Sequence, residues 1–547
     1  MMPWAHIAPF TVGVLSHTLY FNHGEHHLWV VFYIKVFLTI YLSMLLCIHY
    51  QSHQDLFSSF IQASQNEGIF LSGLYGATFF YRIFLHPLNS FPGPLGCRLS
   101  SFSLPIIFRH GDGFRQVQKL HDQHGSFVRL RPNYLSIAHP KAVNLIYGSG
   151  SKCTKAAWYD LNHPTMSLQT LRDRKAHDER RRVWSVAFSD KALRGYEQRL
   201  RVYRDQLMEY LASQAESNQG DSKGRPVNVT KWFSLYNFDF MGDLAFGKSF
   251  NMLDTSQEHW AVRLMKDAMV PLGLGLPTWF FRVVMAIPFL SRDWWRLNIF
   301  AEERMEKRME TQVEIPDIAS ALQAPLQGKK PTREQTDILR GDAKLIVVAG
   351  SDTTATTLSA AVYQLVQHPE HIQRIREELA PYITDPSGEV LHEKISHLPH
   401  LNAIINETLR LHPPVPAEIQ RKTPPEGITI DGVYVPGNVD VMCPQYVIGR
   451  SEEAYERSLE FIPERWYLYP EMIREKSCFA PFSIGPYGCI GKPLALLNIR
   501  TTLARLVTMF DFEFAPGEDG KAFEATAKDC FTMGFGDLQI LFRERAV

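Results

Sequence analysis

The chain has 547 residues, 45% of them hydrophobic and 12% aromatic, enough to bury a large aromatic-rich core. Its 57 basic and 57 acidic side chains cancel, which excludes the charge signature of a nucleic-acid surface or a polybasic membrane sensor and favours small-molecule chemistry. The seven cysteines, Cys47, Cys97, Cys153, Cys443, Cys478, Cys489 and Cys530, form no C-x-x-C pair, which argues against a disulfide framework or zinc ribbon and for a reducing compartment.

Residues 1–90 read as a membrane anchor. Leu28 to Tyr50 is almost wholly apolar over 23 residues, long enough to cross a bilayer. Ile69 to Leu85 is a second candidate and Ala5 to Phe21 a weaker third, so one to three spans are expected. A cleaved signal peptide is not expected, because the start lacks a basic region and no small-x-small site ends the apolar run. Arg82, Arg98 and Arg109 follow the last span, whereas Gln65, Asn66 and Glu67 precede it; the positive-inside bias then places everything downstream in the cytosol. Phe91-Pro-Gly-Pro94 forms a rigid elbow, since proline restricts its neighbours and cannot continue a helix. The second unit, 91–547, is predicted to be mainly α with a minor β part. Helical periodicity dominates, strand-like runs occur at Ser126 to Arg131 and Ile428 to Val435, and polar loops at Ser213 to Arg225 and Gln323 to Arg333 join helices.

Four constellations follow in this unit. His177 and Arg181 stand at i, i+4 in His177-Asp-Glu-Arg-Arg-Arg-Val-Trp184 and share a helix face, either as two donors for carboxylates or as a basic surface turn. Ala349-Gly-Ser-Asp-Thr-Thr354 sits inside the helical run Leu339 to Val366, where Gly, Asp and Thr are all poor helix formers; function or a helix bend could explain them. Glu407 and Arg410 form an E-x-x-R pair on one helix face, an arrangement that proves nothing alone. Finally, Phe482, Gly485, Cys489 and Gly491 form F-x-x-G-x-x-x-C-x-G ahead of a helix that opens with Pro493. A lone cysteine is most often a small buried thiol. Here, free N–H groups and the helix dipole are expected to lower its pKa, and glycines to let backbone approach a flat ligand.

The last constellation resembles the haem-binding loop of the cytochrome P-450 family, and the similarity extends from about Tyr81 to the end of the chain. Gly242-Asp-Leu-Ala-Phe-Gly247 looks like the fungal branch of its microsomal members. The resemblance implies the cytochrome P-450 fold behind N-terminal transmembrane segments, and haem b (iron protoporphyrin IX) with Cys489 as axial thiolate and metal ligand. Phe482, Gly485 and Gly491 complete the cofactor loop; His177, Arg181 and Trp184 belong to the helix that meets the propionates. Gly350 leaves room beside iron, Thr353 holds oxygen or its water, and Asp352 relays protons. Glu407 and Arg410, with Arg465 from Phe461-Ile-Pro-Glu-Arg-Trp466, resemble the family's buried structural triad. One position departs: where the family usually has Arg or His, this chain has Tyr487, a phenol without charge, so propionate neutralisation is expected to shift toward His177, Arg181 and Arg421.

The implied activity is insertion of one atom of O2 into a hydrophobic, polycyclic secondary metabolite. No flavin fingerprint or iron–sulfur cysteine cluster is present, so electrons are expected from a separate NADPH-dependent flavoprotein reductase, at the endoplasmic reticulum membrane and without a nucleic-acid partner. The alternative is a haem-thiolate isomerase, synthase or oxidative coupling enzyme on a similar scaffold. The substrate walls are expected from Trp158 to Asp160, Met269 to Trp279, Ile346 to Ala349, Val415 to Glu418 and Thr532 to Phe535.

Overall fold

The computed structural model of the chain describes residues 4–215, 224–311, 315–326, 332–383, 388–417 and 419–545. Most of the loop expected at Ser213 to Arg225, part of that at Gln323 to Arg333, and Glu418 lie outside them.

Three helices precede the elbow: α1 (Trp4–Ser16), α2 (Val30–Gln51) and α3 (Leu56–Phe80). The apolar helical runs His27–Gln51 and Leu56–Leu85 are each long and apolar enough to cross a membrane, the second starting well before the Ile69 expected from sequence. Asp55 explains that earlier start: its carboxylate caps the backbone N–H groups of Phe57 and Ser58 and nucleates the helix there. No residue of α2 is buried, and Phe32, Leu38, Ile40, Leu42 and Leu46 all face outward, an arrangement suited to an apolar surrounding. α1 and α3 touch backbone to backbone. A Cβ on Gly13 would collide with the Phe70 carbonyl and one on Gly73 with that of Phe10, the close approach that small residues permit between helices in lipid.

The loop between α1 and α2 docks on the body. Glu25 accepts from Arg172 at 2.7 and 2.9 Å and from Lys422 at 2.8 Å, while His27 Nε2 lies 2.8 Å from Asp160, which also meets Arg172. Burial disfavours the Glu25 carboxylate, but the hydrogen bonds from Arg172 and Lys422 outweigh it and hold its pKa at about 2. A pKa depressed in the docked state stabilises docking above the free value and loses that contribution as pH falls. Hydrogen exchange at residues 22–27 is therefore expected to rise as pH drops from about 4.5 toward about 2, and Glu25→Gln to exchange fast throughout. The pair is half exposed, so salt is expected to weaken it.

In the body, β1 (Phe127–Arg131), β2 (Tyr134–Ile137), β3 (Thr154–Lys155), β4 (Arg421–Lys422) and β5 (Asp440–Met442) make one sheet in the order β1-β2-β5-β4-β3. Only β2 and β5 run parallel. Ile428 to Val435 is a hairpin rather than one strand: Asp431-Gly432, both at positive φ, turn Ile428–Ile430 back onto Val433–Val435.

The helices that carry the site are α4 (Arg174–Val186), α5 (Val229–Phe246), α6 (Pro288–Glu310), α7 (Arg333–Gln367), α8 (Pro399–Leu411) and α9 (Lys492–Met509). α7 starts at a reciprocal cap, Thr332 accepting from Gln335 N–H and Gln335 accepting from Thr332 N–H, and stops at His368 because Pro369 follows. It is also long and apolar enough to span a membrane, yet most of it is buried among Phe233 and Tyr236 of α5 and Leu497 and Leu503 of α9. It is the central core helix.

Glu407 and Arg410 on α8 and Arg465 have fully buried side chains. The Glu407 carboxylate accepts from Arg410 at 2.7 and 2.9 Å, Arg465 at 3.0 Å, the Trp466 indole at 2.9 Å and the Ile462 backbone at 2.9 Å. Arg410 also donates to the carbonyls of Gly449, Ser458 and Glu460. The triad expected from sequence thus forms, saturated with partners, and ties α8 to the segment that leads into the cysteine loop.

Candidate active site

The cysteine loop ends at the first turn of α9, where Pro493 fits because its missing N–H has no helical partner to lose. Gly485 sits at φ +66°, and a side chain there would collide with the Tyr147 and Gly148 backbone. Its close approach is to the protein's own chain, not to a ligand: Gly485 does not line the cavity above the loop. Gly491 does, and a Cβ there would lie 3.8 Å from the Cys489 sulfur, in the space a flat group against that sulfur requires. The Cys489 N–H donates to the Phe482 carbonyl at 2.7 Å, and Phe482 lines the same wall.

Cys489 opens onto a cavity of about 410 Å³ enclosed by α4, α7, the sheet and the cysteine loop. It is the one cysteine that reaches it. Cys478, the other thiol in this region, is buried elsewhere, with its sulfur 2.9 Å from the Glu475 carbonyl and 3.5 Å from the Tyr455 hydroxyl. A second cavity, about 510 Å³, is lined by His412, Arg450 and Glu524 and contains no thiol. The lowered thiol pKa expected from sequence is not found. The Gly491 and Lys492 N–H groups and the Arg181 charge favour the thiolate, but desolvation outweighs them and pushes the thiol up. A cationic ligand on the sulfur reverses that balance.

At one end of the cavity the ionisable side chains are all basic. Lys155 on β3 and Arg421 on β4 are direct partners in an antiparallel ladder, an unfavourable pairing of like charges. Arg181 joins them, donating to the Gly488 carbonyl at 2.7 Å, and no acidic side chain lines the cavity among the described residues. Burial first, then Arg421 and Arg181, bring Lys155 down to about 6. Arg421 Nε is buried without a hydrogen-bond partner among the described residues. Tyr487 occupies the centre: Lys155, Arg421 and Arg174 lie 5.0, 4.9 and 5.5 Å from its ring, and His177 meets it edge-on at 4.7 Å. The phenol thus gathers cations from three other segments instead of supplying one. His177 is held neutral, its pKa near 4 through burial and Lys155, and its Nδ1 N–H donates to Asp178 at 3.0 Å, so toward the cavity it contributes packing on Tyr487 rather than charge or a donor. This cluster fits the two carboxylates of a flat dianionic cofactor, with Lys155, which sequence reasoning missed, among its donors.

Trp184 lines the cavity, but its indole N–H donates to Asp342 at 2.9 Å, which Arg180 and the Leu168 N–H also hold. It braces α4 against α7 rather than facing a carboxylate of the cofactor. On α7, Gly350, Thr353 and Thr354 line the cavity. The space a Gly350 side chain would take is filled by Met241, itself part of the wall, so the glycine makes room for that thioether. Thr353 donates to the Ala349 carbonyl at 2.7 Å, leaving its lone pairs free to accept. Asp352 lies behind the wall; its carboxylate accepts from Thr532, which lines the cavity, and burial raises its pKa. Trp158, Met269, Leu272, Ile346 and Val415 supply apolar wall as expected, whereas Asp160 turns away to the docked α1–α2 loop.

A family model described as Cytochrome P450 matches residues 94–536. The chain belongs to the cytochrome P450 family. The match spans the triad, α7 and the cysteine loop. The chain is 46% identical to Cytochrome P450 monooxygenase notG' of Aspergillus versicolor, over 97% of this chain and 96% of that protein. It is 46% identical to Tryprostatin B 6-hydroxylase of Aspergillus fumigatus (98% and 95%) and 40% identical to Cytochrome P450 monooxygenase lcsK of Purpureocillium lilacinum (97% and 97%). As a cytochrome P450 monooxygenase the protein uses haem held through a cysteine thiolate, and its relatives are fungal enzymes of secondary metabolism.

Proposed function

We propose that the protein is a membrane-anchored monooxygenase that hydroxylates a hydrophobic, polycyclic secondary metabolite, a tryprostatin-like molecule being the first to try, with electrons from a separate NADPH-dependent flavoprotein reductase. The observation that carries the reading is the convergence on one cavity of Cys489, the Lys155, Arg181 and Arg421 cluster, and Gly350 and Thr353 of α7. Cys489 serves as the thiolate ligand, and Arg181, Arg421 and Lys155, which an adjacent carboxylate returns to its charged form, hold the propionates around the Tyr487 ring, with His177 packed against that ring. Bound there, haem supplies the redox chemistry that splits O2, one atom entering the substrate and the other leaving as water with two electrons and two protons.

The chain's own residues deliver those protons and exclude water. Asp352, half-buried and inclined by desolvation to hold a proton, hands it through the Thr532 hydroxyl, while Thr353 accepts or donates at the cavity surface. Trp158, Leu272 and Leu297 keep the reacting carbon in an apolar environment. The docked α1–α2 loop and the exit of α3 into the elbow both touch the body, which supports a hairpin of α2 and α3 reaching into the bilayer from the cytosolic face of the endoplasmic reticulum.

Removing one member of the cation cluster is expected to loosen haem more than removing the phenol hydroxyl. A hydrogen bond to a charged group contributes ~1.5–3 kcal/mol, so Lys155→Met or Arg181→Ala is expected to speed haem transfer to apomyoglobin about tenfold or more, and Tyr487→Phe to change it little. Unchanged release from Lys155→Met and Arg181→Ala, with loss of haem from Tyr487→Phe, contradicts the assignment.

A further inference from the structure

Lys344 is a cation that the chemistry above does not use. It lies on α7, lines the cavity, and is half-buried in the wall facing α6, where its ammonium sits 5.1 Å from the Trp294 ring and donates to the Asn298 side-chain oxygen. It lies two positions after Asp342, so the two side chains leave opposite sides of the helix, and Lys344 stands apart from the cluster around Tyr487. Among the described residues it forms no ion pair. Burial alone lowers its pKa to about 8, with no carboxylate near enough to oppose the change. Beside it, the Asn298 Nδ2 is buried and has no hydrogen-bond partner among the described residues. Lys344 therefore reaches an apolar stretch of the cavity wall, between Trp294, Leu297 and Met269, with Asn298 behind it accepting one of its protons and its other donors given no partner among the described residues.

We propose that Lys344, with Asn298, is the polar recognition point for substrate: the cavity takes an apolar molecule bearing a hydrogen-bond-accepting oxygen, carbonyl or carboxylate, which Lys344 holds. Gly350 lies six positions after Lys344, roughly 9 Å along the helix axis, so that oxygen sits about this far from the carbon presented beside Gly350 and Thr353. The rest of the molecule packs on Trp294, Leu297 and Met269. A buried site built to donate penalises a ligand that lacks the acceptor, because its donors are then left unpaired. This sets substrate class and orientation, and it rests on the haem being bound at Cys489.

The test uses haem-loaded full-length protein and three probes that attach to the iron through imidazole and carry a chain cut to span that distance, ending in a carboxylate, a methyl ester or a methyl group. Affinities are read from the shift of the haem absorption band, relative to unsubstituted imidazole on the same protein. The wild type is expected to bind the acid, or both acid and ester, about tenfold more tightly than the methyl-ended probe, as one charge-assisted hydrogen bond predicts. Preference for the acid alone identifies a carboxylate substrate; equal preference for the ester identifies a carbonyl. Lys344→Met is expected to lose the preference and Lys344→Arg to keep it. If Lys344→Met does not load haem, Asn298→Asp serves instead, because a carboxylate against the ammonium is expected to reduce binding of the acid. Equal affinity for all three probes in the wild type, or a preference that survives Lys344→Met or Asn298→Asp, overturns the proposal. A wild type whose spectrum does not respond even to unsubstituted imidazole removes the haem reading first, and the two failures are thereby told apart.

Discussion

Cys489→Ala is expected to give a protein that lacks the red-shifted carbon-monoxide spectrum of thiolate ligation and has no monooxygenase activity, with its fold retained. The sulfur makes no side-chain hydrogen bond that the fold needs: the loop is held by the Cys489 N–H on the Phe482 carbonyl and by Gly485 packed against Tyr147 and Gly148, and alanine keeps both. What alanine removes is the one thiol that reaches the cavity. Cys478→Ala is the matching control. That thiol is packed between Glu475 and Tyr455, away from the cavity, so its loss is expected to reduce stability and leave the spectrum intact. A normal spectrum in Cys489→Ala, or its loss in Cys478→Ala alone, reverses the assignment.

The second large effect is expected from the triad. Arg410→Ala removes a guanidinium that holds both Glu407 oxygens and three backbone carbonyls, and the Glu407 carboxylate it leaves behind is fully buried. Stranding one buried charge costs ~3–5 kcal/mol. Against a net stability of ~5–15 kcal/mol this is a large share, so little haem-loaded protein is expected from Arg410→Ala. Lysine is expected to rescue poorly, since a single ammonium cannot replace a fork that reaches four partners. Normal haem content and thermal midpoint in Arg410→Ala would show that the network is dispensable.

How much of this was legible in the sequence depended on distance along the chain. Glu407 with Arg410, His177 with Arg181 and the Phe482–Gly491 loop are local patterns, and each was readable as a spacing. The helix α7 was readable from its period, though not that its apolar length serves the core rather than a membrane. The Asp431-Gly432 turn is a hairpin signal that was in the sequence and passed over. Lys155 was not readable: it becomes a site residue only because β3 pairs with β4 and sets it opposite Arg421, 266 positions later in the sequence. The same holds for the Thr532 hydroxyl on Asp352 and for Asn298 beside Lys344, which join segments that no periodicity links. Where sequence supplied a role but not a neighbour, the role changed. Trp184 turned out to serve Asp342, and the bare α-carbon of Gly350 makes space for Met241.

The most direct test of the account is mass spectrometry of products formed by the reconstituted protein and an NADPH-dependent reductase under oxygen-18 gas, with tryprostatin B as the first substrate and related intermediates as the panel. The account predicts a product heavier by a single oxygen-18 atom, formed only with NADPH and reductase and absent from Cys489→Ala. A product that forms without NADPH, or that carries no atom from the gas, would contradict it and point to rearrangement or coupling on the same scaffold.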